Sequence, residues 1–246
     1  MNTYSPKLKL NANRILVILI VIIIVLLALS ILGQYLRYFQ SFADIRPWME
    51  FALDLLNHKF YLDAETNVPT WFNSILLFIA SALFLTIASW AKGNDDKFQY
   101  HWFGLSTLWI IFSVDELAVL HETLIEPMRG IFGASNWLYF AWVIPGIIFL
   151  AVLSIAYAYF IFKFDPRFKT LFVGSLLLYF SGAVGGEMTS GHFAAILGQR
   201  NFTYAVISSL EESVELMGAS LLIYTLLRYI EENFGRLQIE VTHRNR

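Results

Sequence analysis

Residues 15–33 read Ile-Leu-Val-Ile-Leu-Ile-Val-Ile-Ile-Ile-Val-Leu-Leu-Ala-Leu-Ser-Ile-Leu-Gly, an unbroken apolar run. It is about as long as the ~20 residues an α-helix needs to cross a hydrocarbon core. Lys7, Lys9 and Arg14 precede it, as basic residues precede the apolar part of a signal peptide. The run is longer than such a segment, however, and it leads into Gln34-Tyr35-Leu36-Arg37 rather than a small-residue cleavage site. It reads as a retained membrane span.

Five similar stretches follow: Trp71–Ala91, Trp102–Leu124, Trp137–Phe162, Thr170–Met188 and Tyr204–Tyr229. The expected fold class is therefore all-α, a six-helix transmembrane bundle forming a single domain over residues 1–246. Composition agrees: 57% of residues are hydrophobic and 15% charged, whereas soluble domains carry roughly 25% charged residues. The absence of cysteine excludes disulfides, a thiolate nucleophile and any Cys-ligated metal. The net charge is -2 with no basic block, which gives nucleic acid nothing to bind. No lysine falls within a span, which argues against a retinal Schiff base, and no glycine-rich phosphate loop points to nucleotide-driven transport.

Basic residues set the expected orientation. The N-terminal tail, the second and fourth loops and the C-terminal region together hold twelve: Lys7, Lys9, Arg14, Lys92, Lys97, Lys163, Arg167, Lys169, Arg228, Arg236, Arg244 and Arg246. The opposite side holds five: Arg37, Arg46, Lys59, Arg129 and Arg200. Both termini are thus expected in the cytoplasm, with the chain in a bacterial inner (plasma) membrane. The long first loop is then on the outer side. Ile45, Trp48, Met49, Ala52, Leu55 and Leu56 recur at helical spacing within Asp44–Phe60, which predicts a short interfacial helix there. The turn Asp63-Ala64-Glu65-Thr66-Asn67 is expected to cap the second span, with a lid role as the lesser alternative. Pro145-Gly146 is expected to kink the fourth span.

Acidic residues inside these spans are the informative feature. The third span holds Asp115, Glu116, His121 and Glu122, the fifth holds Glu187 with His192 just beyond it, and the sixth holds Glu211, Glu212 and Glu215. A charge at mid-bilayer costs about 2.5–3.5 kcal/mol even on the lenient insertion scale. Given the alternating span directions, all three clusters come to a similar depth in the outer half of the membrane. Glu211, Glu212 and Glu215 make one stripe on their helix. Asp115 and Glu122 nearly eclipse, whereas Glu116 and His121 diverge, unless the helix ends before His121. The run Gly182-Ala183-Val184-Gly185-Gly186 permits the close helix approach that would bring Glu187 near the others.

Arg129, Arg200 and the two histidines cannot neutralise this many carboxylates. Either some are protonated or a bound cation supplies the charge. The inventory matches a carboxylate-rich metal site in ligand count, without the Glu-x-x-His pairs of helix-bundle di-metal proteins. The expected ligands are Asp115, Glu116, His121, Glu122, Glu187, His192, Glu211, Glu212 and Glu215, holding a divalent or trivalent ion such as iron, zinc or manganese. Haem ligation by His121 and His192 is a thinner alternative, and a solvated vestibule without chemistry is the plain one.

The stretches Leu62-Asp-Ala-Glu-Thr-Asn-Val-Pro-Thr-Trp, Asp115-Glu-Leu-Ala-Val-Leu-His-Glu and Glu211-Glu-Ser-Val-Glu resemble patterns recurring in a group of uncharacterised bacterial multi-pass membrane proteins. The resemblance covers most of the chain from the first outer loop to the sixth span, and it implies no particular activity. From the residues alone, the expected function is a metal-dependent membrane enzyme acting on a lipid-soluble or periplasmic small molecule. A proton- or cation-coupled transporter or channel and a non-catalytic subunit of a membrane complex are the alternatives.

Overall fold

The computed structural model describes residues 7–9, 11–40, 46–133, 136–234 and 238–240. Arg236, Arg244 and Arg246 of the basic count, and Asp44 and Ile45 of the first loop, lie outside them. Among the described residues the chain is helical apart from one short pairing, β1 (Lys7–Lys9) antiparallel to β2 (Gln238–Glu240). That pairing brings the two tails to the same end of the molecule.

Helix α1 spans Ala12–Phe39, with the Asn11 side chain accepting from the Arg14 N–H at its start. Helix α2, Pro47–Lys59, follows, begun by a proline that suits a first turn. The backbone of α2 lies against α1 at Gly33, where an added Cβ would sit 3.1 Å from Leu56 Cβ. Helix α3 covers Val68–Gly93, and α4 covers Gln99–Ala118. After a 3-10 turn at His121–Leu124 come α5 (Ile125–Phe132) and α6 (Val143–Phe162). Helix α7 (Pro166–Phe180) runs through a π-helical segment, Ser181–Gly186, into α8 (Glu187–Leu197). Helix α9, Phe202–Phe234, ends the bundle.

Five of these elements are long and apolar enough to cross a membrane: α1, α3, α6, the α7–α8 unit and α9. Helix α4 joins them only as a broken span, bent by 78° from the segment that follows. Two expected spans thus need correction. The third does not continue to Leu124, because Val119 turns left-handed (φ 53°) and its N–H bonds back to Asp115 O at 2.7 Å. The fourth begins at Val143 rather than Trp137, so Pro145 lies in a first turn and needs no kink. Trp137 instead stacks its indole on His192, with ring centroids 4.4 Å apart.

Small polar residues hold the central helices together. Ser74 and Ser113 donate to each other's carbonyl oxygens at 2.8 Å, and Ser81 and Ser106 do the same at 2.7 and 3.0 Å. The two pairs advance in opposite directions along α3 and α4, which makes an antiparallel hairpin. Short side chains let the backbones approach, and each hydroxyl is satisfied without water. Ser30 on α1 and Ser209 on α9 bond hydroxyl to hydroxyl at 2.8 Å. Towards the end that carries the tails, the core is aromatic. Phe84, fully buried, contacts Trp102, Trp109 and Phe172 at centroid separations of 6.1–6.2 Å.

Candidate functional site

The site is built where α9 meets the π-helical segment. A Cβ on Gly182 would lie 2.7 Å from the Glu215 backbone nitrogen, and one on Gly186 would overlap the Glu211 side chain. Glycine at both positions is what lets the two helices close, and the expected close approach is found. Glu215 is buried, and its Oε1 accepts from Asn73 Nδ2 of α3 at 2.9 Å. Glu187, at the head of α8, accepts from Trp142 Nε1 at 3.0 Å.

The break after α4 folds the chain back on itself. The His121 N–H donates to Asp115 Oδ1 at 2.9 Å, and His121 Nδ1 lies 2.9 Å from Asp115 Oδ2. His121 also packs its ring 4.7 Å from that of Trp142. The helix therefore does end before His121, and this brings an imidazole to a carboxylate that an unbroken helix would have turned aside.

These groups enclose a cavity of about 210 Å³. Its acidic lining is Asp63, Glu65, Asp115, Glu116, Glu122, Glu187, Glu211, Glu212 and Glu215, with His121 as the one basic side chain among the described residues. The rest of the wall includes Phe112, Phe140, Trp142, Phe149, Tyr179, Phe180, Gln199 and Tyr204. Eight of the nine residues expected from sequence thus share one cavity. His192 does not line it, being stacked on Trp137. Arg129 is committed elsewhere, donating to Glu126 at 2.9 Å and to Tyr139 O at 2.7 Å and 3.0 Å. Among the described residues no three of the acidic and imidazole groups are set around one point as a metal ion requires.

The sequence undervalued the turn before α3. Asn67 caps that helix as expected, accepting from the Thr70 N–H at 3.0 Å, and its Nδ2 holds Tyr61 O at 2.6 Å. Tyr204 donates to Asp63 Oδ1 at 3.2 Å, and Tyr61 Oη lies 3.2 Å from Ser208 Oγ. The turn is thereby strapped to α9, and Asp63 and Glu65 enter the wall. Burial pushes the Asp63 carboxyl up to about 6, against the opposing effect of its hydroxyl donors. Partial burial, and then the negative charge of Glu122, push Glu65 up to about 7. Asn73, an amide in the second turn of the apolar α3, is a further partner of the site that its sequence position signals.

No curated protein and no solved structure matches the chain. Residues 15–230 match the model of a family described as a domain of unknown function (DUF8692). With nearly its whole length matched, the chain belongs to that DUF8692 family.

Proposed function

We propose that this is a six-span protein of the bacterial plasma membrane that binds a cation in a dead-ended outer cavity and acts on a small molecule there. The spans are α1, α3, broken α4, α6, the α7–α8 unit and α9. An even number of crossings accords with the pairing of the two tails at one end, and the basic asymmetry favours placing that end in the cytoplasm. Helix α2, with Trp48, Phe51 and Leu55 exposed, suits the outer interface.

One observation carries the cation reading: among the described residues, nine carboxylates and a single imidazole face one cavity, with no lysine or arginine in its lining. Cationic charge must come from outside the chain or the carboxylates must take up protons. The best metal candidates, iron, zinc or manganese, would draw on Asp115, His121, Glu116, Glu187, Glu211, Glu212 and Glu215, with some side-chain rearrangement on binding. A bound metal would supply Lewis-acid activation of water or substrate. Conduction fits less well, because the aromatic packing of Phe84, Trp102, Trp109 and Phe172 fills the bundle beneath the cavity.

Elemental analysis of protein purified in mild detergent, with chelator-sensitive thermal stability, tests the metal form of this reading. Ion flux in proteoliposomes tests the transport alternative: flux that disappears with Glu215→Gln would displace the enzyme reading. A C-terminal reporter active only in the periplasm would overturn the orientation.

A further inference from the structure

We propose that the cavity receives the ammonium headgroup of a single-chain amphiphile, which enters sideways from the bilayer between α4 and α6. This rests on the cation reading above and names the class of substrate.

The cavity lining is of two kinds. Part is acidic, and it includes Glu211, whose Oε2 is buried with no hydrogen-bond partner among the described residues. Part is aromatic, with Phe112, Trp142, Phe149 and Phe180. Acidic groups that are not gathered at a point suit several N–H donors on one nitrogen. Aromatic rings in the same lining suit the adjoining polarised carbons, through the attraction of a cation to a ring face.

The position of α6 supplies the entrance. Only Val143 and Phe160 of its residues are buried. Its inner end is held in aromatic packing, where Phe160 meets Trp102 edge-on at 4.9 Å. Its outer end is held through Trp142, which bonds Glu187. Between these anchors Gly146, Phe149 and Leu150 line the cavity, while Ile148 and the 44% exposed Phe149 look outward. The contact that spans the gap is edge-to-face packing of Phe112 on Phe149, with centroids 6.4 Å apart. On the aqueous side, by contrast, the turn holding Asp63 is strapped to α9 by the Tyr204 hydroxyl donating to Asp63 and by a bond between the Tyr61 and Ser208 hydroxyls. A headgroup reaching the acids past Phe149 leaves its alkyl chain along α6 in the lipid.

The chain has no cysteine, so Phe112→Cys/Phe149→Cys can be bridged selectively with a cleavable bifunctional thiosulfonate in nanodiscs. The probes are radiolabelled dodecylammonium, corrected for empty discs, and Mn(II) added from water. The expected result is that bridging slows dodecylammonium uptake roughly tenfold or more, as a locked lid would. Mn(II) binding should be unchanged, and reduction of the bridge should restore uptake to that of the same double variant before bridging, which is the reference. If both probes bind and bridging leaves dodecylammonium uptake unchanged, lateral entry is overturned. If Mn(II) binds but dodecylammonium does not, the ammonium headgroup is overturned while the cation reading stands. If neither binds the unbridged protein, the cation reading falls and this proposal with it.

Discussion

Asp115 holds His121 by both carboxylate oxygens, Oδ1 taking the backbone N–H and Oδ2 lying against the ring nitrogen, each at 2.9 Å. The pair closes the break after α4 and aims the imidazole into the cavity beside Trp142. Removing either partner should therefore cost more than a surface ion pair. A double-mutant cycle with Asp115→Asn and His121→Gln, read by unfolding in detergent, should give a coupling of about 1–2 kcal/mol. Additive effects would show that the bend is held by backbone alone.

Gly182 and Gly174 differ in what a methyl group would meet. At Gly182 it would lie 2.7 Å from the backbone nitrogen of Glu215, and at Gly174 nothing lies within 4 Å. Gly182→Ala should destabilise by about 1–3 kcal/mol through overpacking between the π-helical segment and α9. Gly174→Ala should be neutral or stabilising by up to about 1 kcal/mol, since alanine is the better helix former. Equal melting temperatures for the two variants would contradict the close approach.

Asp63 makes stability depend on pH in a direction opposite to that of a salt-bridged carboxylate. Its folded value, about 6, is above the ordinary 3.8, so between these values the folded state holds the proton more tightly. Its contribution is complete below about pH 4 and is lost as pH rises through about 6, by something on the order of 1–3 kcal/mol. Hydrogen exchange of the 60–67 turn, measured from pH 4 to 7 without added cation, should accelerate with pH beyond the intrinsic rate. Asp63→Asn should remove that excess, and an unchanged excess would assign it to another group.

Glu215 and Glu126 should separate cavity chemistry from surface charge. Glu215 is buried among α3, α9 and the π-helical segment, whereas Glu126 is exposed and paired with Arg129. Glu215→Gln or Glu187→Gln should reduce bound metal several-fold, in keeping with the loss of one ligand or of a group that orients one. Glu126→Gln should leave metal content unchanged. Inductively coupled plasma measurement of the three variants beside the parent decides this, and a parallel loss in Glu126→Gln would point to a surface origin.

The sequence by itself determined the helical class and the apolar stretches, and it led to the expectation that Asp115, Glu187 and Glu211–Glu215 come together, as they do in one cavity. Hydropathy and helical spacing are local properties, and alternating spans carry depth information without any knowledge of packing. Only the tertiary structure decided which groups share the cavity. His121 joins because the chain breaks at Val119, and His192 is left out because Trp137 occupies its ring face. Asp63 enters, and Asn73 comes to hold Glu215, because α9 packs beside the turn and beside α3, bringing Tyr204 and Glu215 to them across more than a hundred residues of chain. Such contacts depend on where helices end and which faces meet. Those are set by the summed packing of the bundle rather than by any short stretch of residues.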